Sequence, residues 1–141
     1  MVVTSRSADK RKRALALGAH EAVETGARLS GPVDIVIETV GEATWKHSLR
    51  SVRPGGRVVV SGATTGDPVA DLARIFYRQI SIIGVSGASR VETEQLLRFM
   101  EATDIHPVVD SVYPLDRIHA AFERVQQPDL YGKVAVRVGA S

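Results

Sequence analysis

A basic fork and a hydroxyl stand together near the start of the chain. Ser5 and Arg6 follow the short apolar run Val2-Val3-Thr4. A planar guanidinium with a hydroxyl beside it can grip a phosphate. Three later segments place small residues where apolar runs end: Thr39-Val40-Gly41, Ser61-Gly62-Ala63 and Gly84-Val85-Ser86. Glycine there lets a ligand or another backbone come close, although glycine also ends many strands with no such role. Other chemistries find little support. The 141 residues contain no cysteine, which excludes disulfides, thiol catalysis and cysteine-ligated metal within this chain. His20, His47, His106 and His119 fall on different predicted elements without metal-ligand spacing. No serine stands in a Gly-x-Ser-x-Gly context, so a hydrolase nucleophile is not supported. No side chain is a convincing proton donor, and none is assigned as catalytic.

The stretch from Asp34 to Gly62 must position these groups. An apolar run, Ile35-Val36-Ile37 and then Val40, ends at Gly41. A helical segment carrying Trp45, Leu49 and Val52 follows, and Pro54-Gly55-Gly56 stops it. A second run, Val58-Val59-Val60, ends at Ser61-Gly62. Neither run alternates apolar with polar residues, which predicts burial on both faces of a parallel sheet. The whole is a β-α-β unit, in which ligands bind beyond the carboxyl ends of the strands.

Around it the chain reads as alternating strands and helices. Val2–Thr4 is a strand, and Ser7 caps a helix over 8–17 that Gly18 ends. A short strand is predicted over 21–24, a short helix over 71–77 and a strand over 80–85. Ser89 and Glu92 have capping-box spacing and open a helix to about Thr103, with Leu96, Leu97, Phe99 and Met100 for packing. A strand over 108–113 precedes a helix begun by Asp116. Its Ile118, Ala121, Phe122 and Val125 form one stripe expected to be buried. A final strand over 132–138 turns Val134, Val136 and Val138 inward. This order indicates an α/β fold. Composition is that of a globular protein, 44% apolar and 24% charged, with room for one domain. No apolar run approaches the roughly 20 residues of a membrane span, and the first ten residues lack the pattern of a signal peptide. A net charge of +2, without aromatic interleaving in Lys10-Arg11-Lys12-Arg13, gives no reason to expect a nucleic-acid partner. These features fit a cytoplasmic location.

The ordered set TSRS, DIVIETVG, LRSVRPGGRVVVSGA, ISIIGVSG, PVVDSVYPLDRIHAAFERV and GKVAVRV resembles the medium-chain dehydrogenase/reductases. The likeness is to their zinc-type alcohol dehydrogenase and quinone-oxidoreductase-like branches, and to the carboxyl-terminal cofactor-binding half only. It implies a Rossmann-like parallel sheet with helices on both faces, lacking the first strand and its glycine-rich turn. It divides the chain into a partial NAD(P)-binding domain, 1–104, and a segment, 105–141, that returns to the substrate domain. In the sheet order 3-2-1-4-5-6 the missing strand is central. Either the second and fourth strands pair directly, or a partner chain supplies the first, or the isolated chain is poorly stable.

The resemblance also assigns roles. The end of the first strand here would face the adenosine ribose, where an acid selects NAD. It carries Ser5 and Arg6 with no acid before Asp9, and Lys10 falls where related quinone reductases place a phosphate-binding lysine, so NADP is expected over NAD. Those relatives have a tyrosine near the position of Thr25. Arg11 to Arg13 read as a solvated helix face. Thr39, Val40 and Gly41 would lie near the cofactor ribose. Ser61, Gly62, Ala63, Gly84, Val85 and Ser86 would present backbone to the nicotinamide, and Lys133 would reach the phosphates. Zinc ligands belong to the part of the family outside this likeness. A homodimer paired through the strand over 80–85 is a further implication, as is a missing amino-terminal domain or chain. The competing readings are a non-catalytic fragment needing a partner chain and a class I methyltransferase-like domain, which would also need a glycine-rich first turn.

Overall fold

A computed structural model describes residues 1–139. They form two compact units, Met1–Gly87 and a second that begins at Ala88.

The first unit opens with strand β1 (Val2–Thr4) and helix α1 (Ala8–Ala16). The Ser7 hydroxyl caps α1 by accepting the Lys10 N–H, as its position before the helix predicts. Strand β2 (Glu21–Val23) pairs parallel with β1. Strand β3 (Val33–Glu38), helix α2 (Glu42–Ser51) and strand β4 (Val52–Val60) form the expected β-α-β unit. Helix α3 (Leu72–Tyr77), capped by the Asp71 carboxylate, leads to strand β5 (Ser81–Gly84). Strands β3, β4 and β5 pair parallel in that order, apart from the β1–β2 pair. Direct pairing of β1 with β3, one of the three anticipated outcomes, does not occur.

The core lies on one face of the β3–β4–β5 sheet. Trp45, Leu49, Val52, Val58 and Ile80 are buried together, with Val36, Val60 and Ile75 packed against them. Side chains alternate along a strand, so Ile35, Ile37, Val59 and Ile83 point the other way. There Ile37 is 65% exposed and Ile35 is 52% exposed. The expectation that these strands are buried on both faces is met on one face only. Helix α2 also ends earlier than predicted. It stops at Ser51, and Val52 already pairs with Val33 in the sheet. Pro54-Gly55-Gly56 therefore does not stop the helix. It lies within β4, where the register jumps between Val33↔Val52 and Ile35↔Arg57, and the Gly55 N–H reaches the Arg78 carbonyl at 2.8 Å.

The second unit begins with helix α4 (Arg90–Thr103), whose Ser89–Glu92 capping box is present as predicted. Its apolar residues are not packed: Leu96, Leu97 and Phe99 are exposed. Strand β6 (Val109–Pro114) pairs parallel with β7 (Lys133–Arg137). Asp116 does not start the following helix; it sits in a 3-10 turn, Leu115–Arg117, ahead of α5 (Ile118–Val125). Ala121 alone of the predicted stripe is buried, whereas Phe122 and Val125 are exposed. An ion pair helps to dock α5. Arg124 donates to both carboxylate oxygens of Asp110 on β6, each at 2.7 Å, and to Asp129. The guanidinium holds the Asp110 carboxyl well below the usual carboxylate range. Val138 falls beyond β7 and is exposed, against the expectation that it turns inward.

Candidate functional site

The carboxyl ends of β3, β4 and β5 lie side by side, as their common direction requires. Beyond β3 runs Thr39-Val40-Gly41, beyond β4 runs Ser61-Gly62-Ala63, and β5 ends at Gly84 with Val85 and Ser86 following. Ladder bonds carry over into these ends: the Ser61 N–H donates to the Glu38 carbonyl at 2.9 Å, and the Val85 N–H to the Val60 carbonyl at 2.8 Å. These nine residues thus form one rim. Ser61, Ala63, Gly84, Val85, Ser86 and Thr39 are exposed on it.

A buried acid fixes the rim. Glu38 is 3% exposed. Its Oε1 accepts the N–H groups of Val40 at 2.8 Å and Gly41 at 3.2 Å, and the Thr44 hydroxyl at 2.8 Å. The Ser48 hydroxyl donates to Oε2. Burial pushes this carboxyl up, but the hydrogen bonds outweigh it and hold it below its ordinary value. The acid therefore stays ionised and fully engaged; it is a brace for the Thr39–Gly41 turn. Sequence reading missed it. The available signal was a lone acid closing an apolar strand, with hydroxyls six and ten residues on.

The loop after β4 completes the arrangement. Thr65 donates its N–H and its hydroxyl to the Val40 carbonyl, each at 2.8 Å. At the start of α2, the Glu42 N–H donates to the Gly66 carbonyl and the Ala43 N–H to the Thr65 hydroxyl, both at 3.0 Å. Donors that open a helix can hold an anion, but the Glu42 and Ala43 N–H groups at the start of α2 are already taken by protein. Two of the three rim glycines, Gly41 and Gly62, are needed for this closure. Gly41 has φ +93°, and a Cβ there would lie 2.5 Å from the Gly66 carbonyl oxygen and 2.9 Å from Ala63 Cα. A Cβ on Gly62 would lie 2.8 Å from the Thr39 carbonyl oxygen. Their small size serves loop-on-loop packing.

The end of β1 is built differently. The Ser5 N–H continues the ladder to the Val23 carbonyl at 3.0 Å, and the Ser5 hydroxyl accepts the Ser7 N–H at 3.3 Å. Arg11 reaches back to donate to the Ser5 carbonyl at 2.6 Å. It braces this turn, so it is not simply part of a solvated face. Arg6 is exposed and Lys10 half-buried at the same end. An exposed guanidinium beside a half-buried hydroxyl suits a phosphate-bearing ligand. A cavity of about 800 Å3 runs between β1 and β3 and reaches Thr39 and Val40. Lys133 belongs to the second unit, where its N–H donates to the Val108 carbonyl at 2.8 Å. Among the described residues no group of three or more His, Cys, Asp and Glu could hold a metal ion.

This arrangement has known counterparts. A family model described as zinc-binding dehydrogenase matches residues 1–102. An acryloyl-coenzyme A reductase of Sulfurisphaera tokodaii is 29% identical over 113 residues, which cover 79% of this chain and 34% of that protein. The crystal structure of an NAD-dependent alcohol dehydrogenase superposes with a TM-score of 0.84 at 32% identity, over 98% of this chain and 43% of that one. A 2-octenoyl-CoA carboxylase reductase, solved with NADP and 2-octenoyl-CoA, superposes with a TM-score of 0.85 at 26% identity, over 96% of this chain and 37% of that one. The chain thus spans well under half the length of these relatives. The matches displace the methyltransferase alternative. Parallel β-α-β topology, a rim of strand ends and a match over residues 1–102 lead to one assignment: the chain belongs to the zinc-binding dehydrogenase family of medium-chain dehydrogenase/reductases and has the Rossmann-like architecture of their cofactor-binding domain.

Proposed function

We propose that this chain is the cofactor-binding portion of an NADP(H)-dependent oxidoreductase. The complete enzyme would transfer a hydride between nicotinamide and a carbonyl or a quinone- or enone-type substrate. The nicotinamide supplies the redox chemistry when bound. In this reading residues 1–104 hold the cofactor and 105–141 return to a substrate domain. The observation that carries the NADP preference is Arg6, exposed at the end of β1 with Ser5 beside it and no acid before Asp9. Ser5, Arg6 and Lys10 would bind the 2′-phosphate. Thr39, Val40 and Gly41 would take the ribose, and the backbone of Ser61, Gly62, Ala63, Gly84, Val85 and Ser86 would orient the nicotinamide. Lys133 would add a contact to the phosphates. Glu38 would keep the rim in place before cofactor arrives, so that little ordering is needed on binding. No residue here is assigned proton transfer, and the 141 residues alone are expected to bind cofactor without turnover.

The test is Arg6→Ala in the purified chain. NADPH affinity should fall about tenfold or more, as loss of a charge-assisted phosphate contact implies, while NADH affinity should hardly change. Equal losses for both cofactors would remove Arg6 from the site. A second reading, a fragment that needs a partner chain, is favoured by the unpaired facing edges of β1 and β3. A homodimer through the free edge of β5, where Ile82 and Ile83 are half exposed, fits the same proposal. No described helix is long and apolar enough to cross a membrane; the proposal places the protein in the cytoplasm.

A further inference from the structure

One flank of α2 and the segment 68–74 enclose a cavity of about 590 Å3. That volume is in the range of small-molecule sites. The α2 side follows from helical spacing. Glu42, Trp45, Lys46, Leu49 and Arg50 stand at i, i+3, i+4, i+7 and i+8 and so share one face. Trp45 and Leu49 belong to the core of the unit as well, which makes this wall apolar and fixed. The cavity shares no lining residue with the rim of strand ends.

Three features around this cavity lack partners among the described residues. Val69 lines it yet is 91% exposed. The Trp45 indole N–H is buried and has no hydrogen-bond partner, whereas buried donors are normally paired. The bases are unmatched: among the described residues no carboxylate pairs with Lys46 or Arg50. The side chain of Arg50 donates once, from Nε to the Lys46 carbonyl at 3.1 Å, which leaves the two terminal nitrogens of its fork open. Two acids also line the cavity. Asp71 is engaged by Arg74, its Oδ1 accepting the backbone N–H at 3.1 Å and its Oδ2 the guanidinium Nε at 3.2 Å. Glu42 stands at the amino end of α2 beside Gly66, where an added Cβ would lie 3.4 Å from Glu42 Oε2. Eight residues of helix, about 12 Å, separate it from Arg50. The cavity therefore has an apolar wall and one open basic end.

We infer that the cavity beside α2 binds a small amphipathic carboxylate, with a charged head and a short apolar tail. The Arg50 fork matches the two oxygens of a carboxylate, and the Lys46 ammonium adds a second positive charge. The tail lies against Trp45 and Leu49 and covers Val69, which removes apolar surface from water. An ammonium on the same tail would meet two like charges at the basic end. The site does not depend on the cofactor reading, and a failed NADPH titration would leave it standing.

The test uses the full 141-residue chain, whose single tryptophan is Trp45 itself. Its fluorescence is followed as octanoate is added, with octylammonium and octanol as probes that carry the same tail. Octanoate should produce a saturable change and bind about tenfold more tightly than octylammonium, as two charge-assisted contacts imply. Lys46→Gln and Arg50→Gln alter exposed side chains, and circular dichroism verifies that both variants fold. Each should weaken octanoate about fivefold and leave octanol binding unchanged. Lys12→Gln, an equal loss of charge on α1, should leave octanoate binding unchanged. No saturable change, equal affinity for octanoate and octylammonium, or the same loss in Lys12→Gln as in the two cavity variants would each overturn the assignment.

Discussion

The two faces of the β3–β4–β5 sheet use the same residue types to different ends. On one face Val36, Val58 and Val60 meet Trp45 and Leu49 of α2 and Ile75 of α3. On the other, Ile35, Ile37, Val59 and Ile83 occupy alternate positions of the same strands, and Ile37 is left 65% exposed. The first face is completed by sequence that immediately follows each strand, because β-α-β connections lay their helices back on the sheet. The second has no such local cover. Apolar character thus reports the surroundings a strand is built for, while exposure reports what these 141 residues supply.

The sharpest test of this contrast is a truncation on the packed face. Leu49 is 1% exposed, so Leu49→Ala should cost about 4 kcal/mol in denaturant unfolding, near the upper part of the range for buried leucines. The rim that the packed face supports should be almost as sensitive. Gly41→Ala combines a left-handed φ with a Cβ driven onto the Gly66 carbonyl and should cost about 3 kcal/mol. Glu38→Gln should cost about 2 kcal/mol, since an amide has one acceptor oxygen where the carboxylate serves four donors with two.

Glu38 also gives the packed side a pH signature. Its carboxyl is held below its ordinary value of 4.5 in the folded chain. The unfolded state therefore takes up the proton first as pH falls. The stabilisation is complete above the unfolded value and is lost as pH drops through the folded one. Unfolding midpoints measured from pH 7 downward should fall more steeply below about 4.5 in the wild type than in Glu38→Gln. The smallest effect belongs to the open face: Ile37→Ser should change the stability of the chain by less than about 0.5 kcal/mol, as for exposed sites generally. A cost comparable to that of Leu49→Ala would mean that both faces are covered in solution.

Much of the architecture was legible in the sequence. Val2–Thr4, the Ser7 cap, the β-α-β unit and the Ser89–Glu92 box all rest on local signals of chain direction and capping, and each is present. Exposure was less legible. Leu96, Leu97, Phe99, Phe122 and Val125 have helical apolar spacing, yet burial depends on a neighbouring surface that spacing alone cannot supply. Pro54-Gly55-Gly56 looks like a helix stop because proline and glycine break helices; in the fold they serve a register jump inside β4. At the site, the three strand ends could be read from their glycines. The brace beneath them could not, because Glu38, Thr44, Ser48 and Thr65 meet only through the packing of α2 and the loop after β4. Arg11 was likewise hidden in a basic run, its role set by the turn it reaches back to.

Titration of the purified chain with NADPH, and with NADH alongside, bears most directly on the proposed role. Nicotinamide fluorescence reports binding and circular dichroism confirms the fold. Saturable binding, tighter for NADPH than for NADH, is the predicted result. A folded chain that binds neither cofactor, or that prefers NADH, would contradict the assignment of Ser5, Arg6 and Lys10 to the 2′-phosphate.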